Sequence, residues 1–174
     1  MPAPDPSLRR IAFKADTRFS AFGNRVLPPA PGGQNDPRTG GATLTVYNSN
    51  PAPGSPTDMV TVPLAAANWK AIGSASISGY RYTGPDPSGP VKTIVLKNDS
   101  LTIRGGKANW SYTLDEPAQG RIAVRLTLNT GAGWCADAPA KLTGNPPSYA
   151  STDKQDKFIA QPSTPAPTSC PALP

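Results

Sequence analysis

The side chains that carry most enzyme chemistry are scarce in this chain. Of its 174 residues none is histidine, two are cysteine and eleven are acidic. Lack of histidine removes the commonest general base, the commonest metal ligand and the usual activator of a nucleophilic serine or cysteine. Cys135 and Cys170 have 34 residues between them, too many for a redox Cys-x-x-Cys or a zinc knuckle, and no histidine is available to complete a zinc site. The pair is therefore expected to form a structural disulfide, which implies an oxidising compartment. Closing a loop of this size stabilises a fold by about 4 kcal/mol in the chain-entropy model. Two free thiols in a cytosolic protein are the alternative.

A glycosidase needs two carboxylates a few ångströms apart. Asp58, Asp86 and Asp99 fall at turn-like positions, where local hydrogen bonding explains an aspartate. Asp115 or Glu116, the latter the single glutamate, could join such a pair, but turn and capping roles are the favoured account of both. No Gly-x-Ser-x-Gly elbow, phosphate-binding glycine loop or dense Asp-x-Asp calcium loop occurs. No catalytic residue, metal ligand or cofactor is assigned, and the chain is expected not to be an enzyme.

Two groups of residues have the chemistry of binding. Tyr80 with Tyr82, and Trp110 with Tyr112, are spaced to share one side of a strand. Exposed, they would stack on sugar rings; buried, they would fill a core. Arg104, Lys107, Arg121 and Arg125, with Lys92 and Lys97, are candidates for a basic face, the alternative being an ordinary solvated sheet surface. The net charge of +6 is consistent with either, and suits an anionic partner such as acidic polysaccharide. Specific nucleic-acid recognition is not expected.

The elements that must position these residues are strands. Twenty-three prolines and sixteen glycines exceed a fifth of the chain, against about 12 % in average usage, and both residues interrupt helices. Strands are expected at residues 9–14, 42–47, 60–64, 79–82 and 91–96. Residues 91–96 are apolar on both faces, which indicates a central strand. Leu101–Arg104, Gly105-Gly106-Lys107-Ala108 and Asn109–Leu114 read as a hairpin turning at Gly-Gly. The longest strand is Arg121–Asn129, where Ile122, Val124, Leu126 and Leu128 alternate with Arg121, Ala123, Arg125 and Thr127. Pro63–Trp69 is the one helix candidate.

The fold expected is all-β, an antiparallel β-sandwich or jelly roll of about eight or nine strands. Residues 1–136 would form the domain, including a loop-rich N-terminal segment. Residues 137–174, an irregular Pro/Ser/Thr-rich tail with one strand candidate at 157–160, would pack on it, tied back by the disulfide. Trp134 is expected against that disulfide. No run of apolar residues is long enough to span a membrane. Residues 1–6 lack the apolar core of a secretory signal, so an exported form would have had its signal cleaved or omitted.

The segments Gly41–Asn48, Gly79–Tyr82, Gly106–Trp110 and Gly133–Ala136 together resemble uncharacterised β-rich domains of large secreted or cell-surface proteins of environmental bacteria. The resemblance covers roughly residues 7–174 and implies an extracellular or cell-surface setting, as a module within a longer polypeptide. No active site comes with it. The leading functional expectation is a non-catalytic extracellular structural or adhesive module, with cell-surface polysaccharide or neighbouring copies of itself as partner. The alternatives are a carbohydrate-binding module using exposed Tyr and Trp, and a polysaccharide-active enzyme.

Overall fold

A computed structural model describes residues 5–16, 27–49, 59–105, 110, 112, 120–131, 133–138, 152–164 and 170–174. Eleven strands occur in them: β1 (Arg10–Asp16), β2 (Ala42–Asn48), β3 (Met59–Leu64), β4 (Trp69–Ile72), β5 (Gly79–Thr83), β6 (Val91–Lys97), β7 (Ser100–Gly105), β8 (Ile122–Leu128), β9 (Gly133–Ala138), β10 (Thr152–Lys154) and β11 (Lys157–Thr164). Helical structure among the described residues amounts to single turns at Pro6–Leu8, Pro37–Gly40 and Ala66–Asn68. The helix candidate at 63–69 thus resolves into the end of β3, one 3-10 turn and the start of β4.

The strands form two sheets. Seven follow the order β10-β11-β1-β7-β6-β5-β4, and four the order β3-β2-β8-β9. Pairing is antiparallel except between β1 and β11, which run parallel from Arg10↔Lys157 to Phe13↔Ala160. The strand count exceeds the eight or nine expected, and the fold is not purely antiparallel, because residues 152–164 supply two strands of the larger sheet. The centroids of Phe13 and Phe158 lie 5.7 Å apart in a stacked arrangement across that parallel pair.

Both edges of β7 are taken, one by β6 and the other by β1, and most of the second arm of the hairpin expected at Gly105-Gly106 lies outside the described residues. A hairpin joins β6 to β7 through Asn98-Asp99, with Lys97 opposite Ser100 and Asp99 at φ 61°, the left-handed conformation that Asp tolerates better than most residues. Gly105 serves packing instead. A Cβ there would stand 2.5 Å from the Pro90 carbonyl oxygen and 2.7 Å from the Trp110 ring. Residues 106–109, 111 and 113–119 lie outside the described residues.

Side chains from both sheets meet in one apolar cluster. Ile11, Phe13, Ile94, Leu96, Leu101 and Ile103 come from the larger sheet, and Leu44, Val46, Ile122, Val124 and Leu126 from the smaller. Each such side chain contributes about 1.5–3 kcal/mol by leaving water. Alternation along β8 places Ile122, Val124, Leu126 and Leu128 inward, as the sequence indicates, and all four are buried. Its other side was expected to face water. Ala123, however, is wholly buried, and so is Tyr47 directly opposite it on β2.

Over Tyr47 lies the segment at Cys170–Pro171. Cys170 is disulfide-bonded to Cys135 with a Cα–Cα distance of 5.5 Å, and the Tyr47 hydroxyl donates to the Pro171 carbonyl at 2.7 Å. Trp134 does not lie against the disulfide as expected. Adjacent residues of a strand point to opposite faces, so Trp134 packs on the core while Cys135 faces outward.

Candidate functional site

The strand registers determine which side chains share the outer face of the seven-stranded sheet. One row across five strands reads Lys70, Arg81, Val95, Thr102, Lys14. At about 4.8 Å between strands it spans roughly 19 Å. A parallel row holds Thr83, Thr93, Arg104, Ala12 and Ile159. Arg10 stands beside Lys157, and Lys97 opposite Ser100. Period-two alternation puts these residues on the side away from the core positions Tyr80, Tyr82, Ile94, Leu96, Leu101, Ile103 and Phe13.

Among the described side chains seven cations thus project from one sheet: Arg10, Lys14, Lys70, Arg81, Lys97, Arg104 and Lys157. Among the described side chains of these strands no carboxylate projects with them. Asp16 ends β1, and its side chain lies outside the described residues. Asp86, Asp99 and Asp156 sit in turns at the rim. Lys70 is directly opposite Arg81, and Arg10 directly opposite Lys157. Like charges opposed across a ladder destabilise a sheet by a few tenths to about 1 kcal/mol, a cost that a face serving only as scaffold has no reason to carry.

Beside this face, at the bulge between Val91 and Thr93, Lys92 joins Arg9, Arg10 and Arg104 around a cavity of about 430 Å³ whose wall also includes Ser7 and Leu8. Arg9 Nη1 donates to the Trp110 carbonyl at 2.9 Å, and its Nε is buried without a protein acceptor.

The residues expected to form one basic face are divided. Arg104 belongs to the seven-stranded sheet, whereas Arg121 and Arg125 belong to the four-stranded one. Arg121 is moreover paired with Asp137, its Nε and Nη2 donating to the carboxylate at 2.9 and 2.6 Å, and Ser49 Oγ donates to the same group at 2.9 Å. Hydrogen bonding to Asp137 raises the Arg121 pKa further. Lys107 lies outside the described residues, as do Asp115 and Glu116.

The aromatic platform is likewise corrected. Tyr80, Tyr82, Trp110 and Tyr112 are each at most 4 % exposed, so no ring face is presented to a sugar. Tyr82 packs on Trp69 at 5.3 Å and lines a separate cavity of about 230 Å³ with Val62, Pro63, Pro85, Asp86 and Pro90. The Tyr80 hydroxyl donates to the Pro29 carbonyl at 2.9 Å, and the Arg38 guanidinium lies 5.6 Å from its ring centre.

Arg38 is held in turn by Asp36, a carboxylate only 1 % exposed that also accepts from the Gly32 and Arg38 amides. The Arg38 hydrogen bonds outweigh burial and bring the Asp36 pKa down to about 2. Asp36-Pro37, an N-cap followed by proline at the first helical position, was the available sequence signal for this cluster.

Among the described residues no three acidic or cysteine side chains gather as a metal site, and no helix is long and apolar enough to cross a membrane. No protein-family model, no curated protein and no solved structure matches the chain.

Proposed function

We propose that this chain is a non-catalytic, disulfide-closed β-sandwich, an extracellular or cell-surface adhesive module of bacterial type that holds acidic polysaccharide against the outer face of its seven-stranded sheet. The observation that carries this reading is the segregation of charge: Lys14, Lys70, Arg81, Lys97 and Arg104 project from adjoining strands with no described carboxylate among them. A sheet face about 19 Å across, with Lys70 and Arg81 at one side and Lys14 at the other, suits a repeating polyanion better than a compact ligand.

Several features favour polysaccharide over nucleic acid. The disulfide belongs to an oxidising compartment. No described helix is long enough to enter a major groove. The candidate aromatics are buried, so they offer no stacking surface for bases. The chain's resemblance to domains of secreted bacterial proteins agrees with the same setting.

Polygalacturonate binding, measured against salt, tests the proposal. Affinity should fall steeply as salt rises, and Lys70→Glu with Arg81→Glu should weaken it at least tenfold while the fold remains intact. Undiminished binding by that double variant would sink the reading. Two titratable thiols in the purified, unreduced protein would overturn the extracellular setting.

A further inference from the structure

We infer that the cavity bounded by Arg9, Arg10, Lys92 and Arg104 receives the acid group of a single sugar unit, so that the module anchors one residue of an anionic glycan. The inference rests on the reading of the adjoining face as a polysaccharide surface, and it locates one specific socket there. Several independent features converge on it.

The β6 bulge between Val91 and Thr93 interrupts the regular ladder, placing Lys92 beside the Arg104–Gly105 end of β7. Arg104 is opposite Ala12 on β1, so Arg10, two residues earlier, is the next outward position on that strand. Four cations from three segments thereby line one concavity. Asp5, the carboxylate nearest Arg9 in the chain, is engaged locally, accepting from the Ser7 amide and hydroxyl.

Arg9 is the most firmly oriented of the four. One of its nitrogens is fixed on the Trp110 carbonyl at 2.9 Å, while its Nε is shut off from solvent and has no acceptor among the described residues. An anion in the cavity therefore meets the guanidinium through its terminal nitrogens. A planar guanidinium anchored at one corner is suited to a carboxylate or sulfate, which it contacts through two parallel N–H bonds.

Size narrows the ligand further. At about 430 Å³ the cavity is in the range of small-molecule sites and larger than a bare oxyanion needs. Leu8, 64 % exposed at its wall, offers an apolar surface for a sugar ring.

Titration calorimetry on the oxidised chain, with digalacturonate, a sulfated disaccharide and inorganic phosphate as separate probes, tests the socket. At least one acidic disaccharide should bind at a single site, tenfold or more tighter than phosphate; whichever binds identifies the acid group. Lys92→Gln with Arg104→Gln should weaken that binding at least tenfold, and Arg10→Gln should weaken it severalfold as an independent check on an exposed position. Met59→Gln, on the exposed edge strand β3 of the other sheet, should leave it unchanged. Phosphate binding as tightly as the sugars, absence of binding by both sugars, or full affinity in the cavity variants would each overturn the inference. These small-ligand titrations are separate from adhesion to long polymers, so failure of the socket and failure of the polysaccharide face give different results.

Discussion

The two sheets present opposite solutions to the problem of an outer face. On the four-stranded sheet, Tyr47, Ala123 and Cys135 face outward by alternation, yet all are buried, and the Cys170–Pro171 segment is bonded to Cys135 and Tyr47. The cation at its edge, Arg121, is matched by Asp137 and Ser49. On the seven-stranded sheet the outward cations Lys70, Arg81, Lys97 and Arg104 remain exposed, and Lys70 opposes Arg81 without a described counter-charge. One face has been largely covered from within the chain, and the other carries cations with no acceptor among the described side chains. The contrast teaches that net charge is a poor guide here; what matters is which cations lack an internal acceptor.

The largest expected effect lies on the covered face. Cys135→Ser with Cys170→Ser should destabilise the fold by about 4 kcal/mol, lowering the unfolding midpoint by roughly 10 °C in a thermal scan of oxidised parent against variant. Burial holds the Tyr47 pKa above the ordinary value of 10.0. Loosening of the roof should therefore bring Tyr47 back towards that value in an ultraviolet titration of the folded variant. The cationic face should be indifferent, and polymer binding by the folded variant should match the parent.

A second perturbation weakens the fold without touching either outer face. The Asp36 pKa is about 2 in the folded protein and 3.8 without its partners. Its ionised form therefore stabilises the fold fully above pH 3.8, and the stabilisation is lost as the pH falls through about 2. Asp36→Asn should cost about 2 kcal/mol at neutral pH. Across that acid window its denaturation midpoint should change less than the parent's.

Smaller again is Tyr47→Phe, which removes only the hydroxyl bonded to Pro171. Loss of one buried hydrogen bond should cost about 1 kcal/mol in urea denaturation. The smallest effect has the opposite sign. Lys70→Glu replaces a like-charge pair with an opposite-charge pair across from Arg81 and should stabilise the sheet by about 0.5 kcal/mol, while weakening polysaccharide adhesion. A variant that is both more stable and less adhesive would make the contrast between the two faces sharpest; a destabilised one would remove the argument from charge opposition.

Much of the strand inventory was legible in the sequence because alternation is a local property. The burial of Ile122, Val124, Leu126 and Leu128 follows from period two alone, and the central place of β6 from its two apolar sides. Pairing is not local. Alternation shows Tyr80 and Tyr82 on one side of a strand without saying that this side is the core. It groups neither Arg104 with Lys70 nor Arg121 with Asp137, because those relations depend on which strands become neighbours.

Gly105 looks like a turn residue, but the close approach of Pro90 and Trp110 is what requires it. Asn98-Asp99 makes the turn with a less conspicuous pair. The parallel strand at Lys157–Thr164 carries a proline and little alternation beyond Phe158 and Ala160, so its place beside β1 comes from tertiary contact. Of the candidate site, Lys92, Lys97 and Arg104 were visible as charged strand residues. The cavity depends on a bulge, which leaves no mark in the pattern.

The parallel pairing of β1 with β11 also affects the order of assembly. Arg10–Asp16 finds its antiparallel partner only when Ser100–Gly105 is available, and its parallel partner only when Lys157–Thr164 is. Contacts between segments so distant in the chain are slow to form, since a long loop must close before any of them rewards the closure. During synthesis the larger sheet therefore stays incomplete, its first strand waiting on its last. Strands β4 to β7 can pair with one another before that, so β1 joins a sheet already begun and is closed on its far side only by β11.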